Sequence, residues 1–408
     1  SISFTPRGSG VRAPQRPPKR GILPLEQDFS FCRRIESVII NYIMYKKVIK
    51  PILFLFSPDF IHKATVQVGR AVQTIPPIRW LLRSWWRYDN DRIQQNIIGI
   101  EFQNPVGLSA GFDKNVQLTP LMENVGFGFE TAGSVTLEPR KGNTRPWFHR
   151  LPKTKSLVVH AGMANHGLPS MRLHISKNHK KLKSMPLSIS VAVVAKNRTE
   201  TDDDAIVDVK NTTLYILQHK LAEMIEINIS CPNVGKEPFS EPELLEKLLT
   251  TLDTVDRNVP FFVKMPHLAS IDKFDELLKV ITRHNIQGVT VANLIKDRTG
   301  LELQDPLTGD IRGGISGAPT KAHSVELIRH TYENYGDKLV IIGVGGIFSG
   351  QDAYEKIRAG ASLVALITGV IFEGPQLVGR INRELVELLQ KDGFETISEA
   401  IGADLKKS

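Results

Sequence analysis

The sequence predicts an α/β fold, a (β/α)8 TIM barrel with an N-terminal helical extension. Three observations point there. Eight short, almost continuously apolar runs follow Ile98, helical patterns separate the later ones, and residues 98–408 supply enough chain for eight βα units. Strands apolar on both faces belong to a parallel sheet covered by its crossover helices. A doubly wound open sheet is the competing arrangement.

Residues 1–43 come first. Up to about Leu25 they are rich in Pro, Gly, Arg and Ser, with little to bury, so a disordered or leader segment is expected. It reads either as a transit peptide or as an upstream extension of a frame that starts at Met44. Residues 44–97 form a second unit. Its apolar run is broken by Lys46, Lys47, Lys50 and Pro51, which leaves no stretch of ~18 apolar residues to span a bilayer. Two short amphipathic helices are expected, separated at Ser57–Asp59. Ser57 is the N-cap of the second, and apolar residues recur at helical spacing from Ile61 to Val72.

Residues 1–100 carry 16 Lys/Arg against 6 Asp/Glu, so the whole of the +9 net charge lies there and the rest is nearly neutral. Trp80, Trp85 and Trp86 interleave with Arg79, Arg83 and Arg87. That mixture suits a lipid headgroup zone, so residues 44–97 are expected to lie on a membrane surface, and nucleic acid is not expected as a partner. A helical hairpin packed only on the main domain is the alternative.

Residues 98–408 make the barrel. Its runs are "NPVGLSAG", "FGFETAGSV", "LSISVAVVA", "MIEINIS", "PFFVKMP", "GVTVAN", "LVIIGVGG" and "SLVALITG". Helices are expected over Glu241–Leu252, Ile271–His284, Ala322–Tyr335 and Gly350–Ala359. The composition, 41% hydrophobic and 23% charged, is that of a globular protein. Two cysteines, Cys32 and Cys231, are too few for a disulfide framework and suit a reducing compartment.

In such barrels the chemistry sits at the carboxyl ends of the strands. Those ends carry Lys114, Ser134, Lys196–Asn197, Asn228 with Cys231 and Asn233, Lys264, Asn293, Gly345–Gly346 and Thr368–Gly369. Glycines after the seventh strand let backbone N–H groups approach a phosphate, and the helix starting at Gly350 is expected to aim its positive end there. The three asparagines offer donors and acceptors to a planar polar ring, although turn capping is the commoner use of such residues. Lys114 and Lys264 suit a carboxylate or developing negative charge. No metal-ligand spacing is visible.

The stretches "NPVGLSAGFDKN", "GNTRPWFHRLP", "INISCPNV", "GGISGAP" and "IIGVGGIFSGQDAYEKIRAGASLV" resemble the dihydroorotate dehydrogenases. These are FMN-dependent barrel enzymes of pyrimidine synthesis. The likeness runs from about Met44 to Leu388, and the basic helical leader looks like that of the quinone-reducing, membrane-associated class. The resemblance implies oxidation of (S)-dihydroorotate to orotate, with electrons passed to a quinone between the leader helices. It also implies peripheral attachment to a bacterial or mitochondrial inner membrane.

Carried onto this chain, the resemblance assigns FMN to Ala110, Gly111, Lys114, Ser134, Asn228, Lys264, Ala292, Gly317, Gly346, Ile367 and Thr368. It assigns the substrate to Lys114, Asn228, Asn233, Asn293 and Leu294, and the catalytic base to Cys231. A free thiol has a pKa of ~8.5, so nearby lysine charge would be needed to raise its thiolate fraction. The quinone-reducing class normally has serine at this position, and cysteine is typical of the soluble class. Val159, Val193, Leu294 and Ile367 are apolar where the family carries polar or aromatic groups. A barrel oxidoreductase acting on another cyclic imide or enone is therefore the second reading. A Cys231 nucleophile acting on a nucleotide, and a non-catalytic membrane scaffold, are weaker ones.

Overall fold

A computed structural model describes residues 43–194, 201–230, 238–307 and 311–406. Residues 1–42, Lys196–Asn197, Cys231 and Asn233 lie outside the described residues. Eight parallel strands close into a barrel in chain order. They are β1 (Val106–Leu108), β2 (Phe129–Val135), β3 (Leu187–Ala192), β4 (Met224–Asn228), β5 (Phe261–Lys264), β6 (Gly288–Val291), β7 (Val340–Val344) and β8 (Leu363–Leu366). β8 pairs back onto β1, so the sheet is closed and not doubly wound. The register places Asn228 beside Lys264 and Lys264 beside Thr290, which levels the carboxyl ends of β4, β5 and β6.

Alternation along each strand explains the continuous apolar runs. Phe129, Met224, Phe262, Ile342 and Leu363 fill the barrel and meet Phe102 at its amino-terminal end. Their neighbours Ile225, Ile227, Val263, Val289 and Ile341 face the helices and join the main core. Both faces are dry, as a parallel sheet requires. Gly107 is needed here, because a Cβ on it would stand 2.3 Å from the Phe129 ring.

The extension holds three helices, α1 (Lys50–Phe54), α2 (Pro58–Val72) and α3 (Pro76–Trp86), with a π-helical turn over Tyr45–Ile49 leading into the first. The expected break is present. The Ser57 hydroxyl accepts the Phe60 N–H at 3.3 Å, and Pro58 opens α2 three residues earlier than the apolar spacing suggested. α3 was not anticipated as a separate helix, and it carries all three interleaved tryptophans. Trp80 is 70% exposed, whereas Trp86 packs against the core. No helix among the described residues is long and apolar enough to cross a membrane.

Beyond the extension, Pro242–Asp253, Ile271–Ile281, Lys321–Tyr335 and Gly350–Arg358 match the expected helices closely. The second stops three residues short of His284, whose ring bonds Asp253 at 2.7 Å. Two antiparallel additions were not anticipated. Gln95–Ile97 and Ile100–Phe102 form a hairpin before β1. Phe148–Leu151, Ser156–Val159 and Gly314–Ile315 form a three-stranded sheet from the segments after β2 and β6. Its strands are only two to four residues long, and Gly314–Ile315 lies too far along the chain for local patterning to reveal its pairing.

Candidate active site at the strand carboxyl ends

Strand pleating puts Asn228 and Lys264 on the barrel's inner face at the last position of β4 and β5. A hydrogen-bonded row crosses the strands at this level. Ser190 and Ser134 hydroxyls lie 2.9 Å apart, and Asn228 Nδ2 donates to Ser134 Oγ at 2.9 Å. Asn293 Nδ2 donates to Asn228 Oδ1 at 3.2 Å and to Ser230 Oγ at 3.1 Å. The Ser230 hydroxyl in turn donates to the Lys264 carbonyl at 3.2 Å. Ser190 and Ser230, both buried, were not singled out in the sequence, although Ser230 directly precedes Cys231.

Lys264 is buried to 5% exposure, and among the described residues its ammonium has no partner. Lys114 donates to the Gly111 carbonyl and lies 4.9 Å from the Phe148 ring centroid. Burial pushes its pKa down to about 8, against the pull of the Asp113 and Asp59 carboxylates. The loop carrying Lys114 is pinned over β2, since Gly111 N–H donates to Gly133 O and Gly133 N–H to Asp113 O, each at 2.9 Å.

On the opposite rim, Gly346 and Gly317 both adopt positive φ, 65° and 83°. A Cβ on Gly346 would stand 2.4 Å from Lys321 Cβ, and one on Gly317 would stand 2.3 Å from the Lys155 carbonyl. Only glycine allows these backbones to pack so closely on Lys321 and Lys155. Ser316 and Thr368 hydroxyls meet at 2.8 Å between them. The helix Gly350–Arg358 does not serve this rim as expected. Its first N–H groups are taken by the Glu384 carboxylate and the Ser349 cap. The helix that begins at the rim is the short Thr368–Glu373 after β8, whose Thr368 and Gly369 line the cavity.

The two rims border one cavity of about 710 Å³. Ala110, Gly111, Lys114, Ser134, Asn228, Lys264, Ala292, Asn293, Leu294, Gly317, Gly346, Ile367 and Thr368 line it. Val159, Leu294 and Ile367 present apolar side chains to the same space, whereas Val193 is buried beside it with its N–H on the Asn228 carbonyl at 3.2 Å. Cys231 and Asn233 lie outside the described residues.

The cavity continues between α1, α2 and α3, past Tyr45, His62 and Arg150, which the sequence reading did not pick out. His62 packs between Phe112 and Phe148, and burial, with the Lys114 and Arg145 charges, lowers its pKa to about 3. The ring is therefore neutral. Arg150 donates to the Phe54 and Phe56 carbonyls at 3.2 and 2.8 Å, holding the end of α1. The Tyr45 hydroxyl donates to the Ile371 carbonyl at 2.8 Å.

Fold and site together define a barrel enzyme that holds a planar, phosphate-bearing ligand at its strand ends and opens towards an apolar helical annex. The family model for dihydroorotate dehydrogenase matches residues 92–389. The dihydroorotate dehydrogenase (quinone) of Nostoc punctiforme is 33% identical over 378 residues, covering 89% of this chain and 99% of its own. That of Deinococcus deserti is 34% identical over 374 residues, covering 88% and 100%. The crystal structure of DHODH from Eimeria tenella in complex with ferulenol superposes with a TM-score of 0.72 at 26% identity, covering 81% of this chain and 95% of that one. The chain belongs to the dihydroorotate dehydrogenase family.

Proposed function

We propose that this chain oxidises (S)-dihydroorotate to orotate with FMN as its bound cofactor and passes the electrons to a quinone, in de novo pyrimidine synthesis. The observation that carries this reading is the continuity of one cavity from the Gly345–Gly346 rim, past Lys264, Asn228 and Asn293, to the space among α1, α2 and α3. One continuous space thus adjoins both a polar floor and an apolar annex.

The residues present fit FMN. Gly317, Gly346, Thr368 and the backbone at Ile367 would hold its phosphate, since the two glycines line the cavity with positive φ and no side chain. Ala110, Gly111, Ser134, Asn228, Lys264 and Ala292 would line its ring, with Lys264 contributing a cation that has no partner among the described residues. When bound, FMN supplies the two-electron acceptor for the oxidation. Lys114 would hold the substrate carboxylate, and Asn228, Asn233 and Asn293 the ring amides, with Leu294 packing beside them. Cys231 would remove the ring proton. It follows Ser230, which is buried against Asn293.

Residues 44–97 form the quinone-admitting and membrane-facing unit in this reading, ahead of the 98–408 barrel and a leader over 1–43. Leu55, Phe60 and Trp80 are 82%, 58% and 70% exposed on it, a surface suited to peripheral attachment to a bacterial or mitochondrial inner membrane.

A second reading, oxidation of a different cyclic imide or enone, is favoured by the apolar Val159 and Leu294 on the cavity wall. Anaerobic titration separates the two. Dihydroorotate should bleach the yellow absorbance of the purified protein. A flavin that stays oxidised at millimolar dihydroorotate but is reduced by another cyclic donor would favour the second.

A further inference from the structure

The helix Gly350–Arg358, whose N-terminus is spent on Glu384 and Ser349, carries Lys356 in its last turn. Lys356 is fully buried, at 0% exposure. Among the described residues its ammonium donates only to the Ser324 hydroxyl, and no carboxylate pairs with it. Asp352 and Glu355, on the same helix, are held instead by Lys321 at 2.6 and 3.0 Å. A buried cation without a carboxylate is costly. Burial pushes the Lys356 pKa down to about 7, against the pull of the Glu355 and Asp352 charges.

The lysine stem runs behind the end of β7, where a Cβ on Gly343 would stand 3.4 Å from Lys356 Cδ. Ser324 is also fully buried, in the first turn of the helix Lys321–Tyr335, and its hydroxyl donates to the Lys321 carbonyl at 3.0 Å. The same hydroxyl oxygen would stand 3.3 Å from a Cβ on Gly345. Gly345, Gly346 and Thr320 line the strand-end cavity. The Ser324 hydroxyl therefore adjoins both the Lys356 ammonium and the glycine rim. The cations that line the cavity, Lys114, Lys264 and Arg150, come from the loop after β1, the end of β5 and the three-stranded sheet. The groups assigned to the phosphate, at Gly317, Gly346, Ile367 and Thr368, are backbone and hydroxyl only. An anion at that rim would meet Lys356 from behind, through a dry wall in which charges act more strongly than in water.

We propose that Lys356 is a positioning residue for a phosphate at the Gly345–Gly346 rim, a buried countercharge that acts through Ser324 and makes the site select a phosphorylated flavin over its dephosphorylated form. The inference rests on the flavin reading of the cavity and adds a source of specificity to it. Lys356 and the anion stabilise each other's charged forms, so the lysine strengthens binding without touching the ligand.

The test titrates the flavin-stripped full chain with FMN and with riboflavin, which has the same ring and no phosphate, and follows the quenching of flavin fluorescence. Wild-type protein should bind FMN more tightly than riboflavin. Lys356→Met and Lys356→Gln should each weaken FMN binding about tenfold or more, the scale of one lost charge pair, and leave riboflavin binding within about twofold. Methionine keeps an unbranched apolar stem and glutamine keeps a donor for Ser324, so a loss common to both belongs to the charge. Circular dichroism checks folding, and either folded variant suffices for the comparison. Equal loss for both flavins would make Lys356 a packing residue and overturn the inference. So would an unchanged FMN affinity, or a wild-type protein that does not prefer FMN. Wild-type protein that binds neither flavin would overturn the flavin reading itself, and the inference with it.

Discussion

In the proposed reading, Cys231 and Lys114 divide the chemistry between a proton and a charge. Cys231→Ala should leave the flavin spectrum intact while slowing its reduction by dihydroorotate about 10²–10⁴-fold, the usual worth of a positioned base. Cys231→Ser should retain a measurable rate. Stopped-flow traces unchanged by the alanine substitution would sink the base assignment. Lys114 is charged below its pKa of about 8, so the hold proposed for it on a substrate carboxylate should weaken as pH rises through that value. kcat/KM for dihydroorotate should fall on that alkaline limb, and Lys114→Arg should move the limb upward. A limb that stays near pH 8 in the arginine variant would assign it to another group. Val159 and Leu294 bear on selectivity, since each lost polar contact is worth about 1–3 kcal/mol. Val159→Asn with Leu294→Thr should lower KM for dihydroorotate, and no change would indicate that these positions do not meet the ring.

At the scale of elements, α1, α2 and α3 are fastened to the barrel by few but specific contacts. Lys46 meets the buried Glu373 carboxylate at 2.6 Å, and Asp59 accepts the Trp147 and Phe148 N–H groups at 3.1 and 3.3 Å. Burial opposes the Glu373 charge, yet the Lys46 hydrogen bond, aided by Lys155 and Arg380, holds its carboxyl below the usual range. Glu373→Gln should therefore loosen the start of the extension, raising KM for quinone and leaving reduction by dihydroorotate unaffected. Equal damage to both half-reactions would mean the annex also shapes the flavin site. Removing residues 1–97 should abolish quinone reduction and spare an artificial acceptor. α2 was legible from its cap and apolar spacing. α3 was not, although Pro76 and Pro77 stand at its start, where proline is tolerated. The three-stranded sheet escaped because Val159 pairs with Gly314, and no local pattern reports a partner so far along the chain.

For the whole molecule, FMN should act as a structural member. A ligand present at 100 times its Kd adds ≈ 2.7 kcal/mol to stability. Adding FMN to cofactor-stripped protein should thus raise Tm by several degrees, and an unshifted melting curve would argue against a flavin in this cavity. The closed barrel was readable because both faces of its strands are dry, which makes each run continuously apolar. The strand-end residues were readable because that fold collects them at one rim. What stayed hidden was joint property: the cavity's extension past His62 and Arg150 depends on how the helices lean, and the spent N-terminus of Gly350–Arg358 depends on Glu384, a residue on another helix.

The row from Ser190 through Ser134, Asn228 and Asn293 to Ser230 has a consequence for selectivity. Its amides already bond one another, so an arriving ring must exchange bonds and cannot simply add them. A ring matching every broken bond binds at little net cost, whereas one lacking a single carbonyl or N–H strands a buried group. Such sites can reject near-isosteres by factors of about 10⁴–10⁵ without any steric clash. Discrimination here would work by omission, which predicts that close analogues fail abruptly and not in proportion to their difference in size.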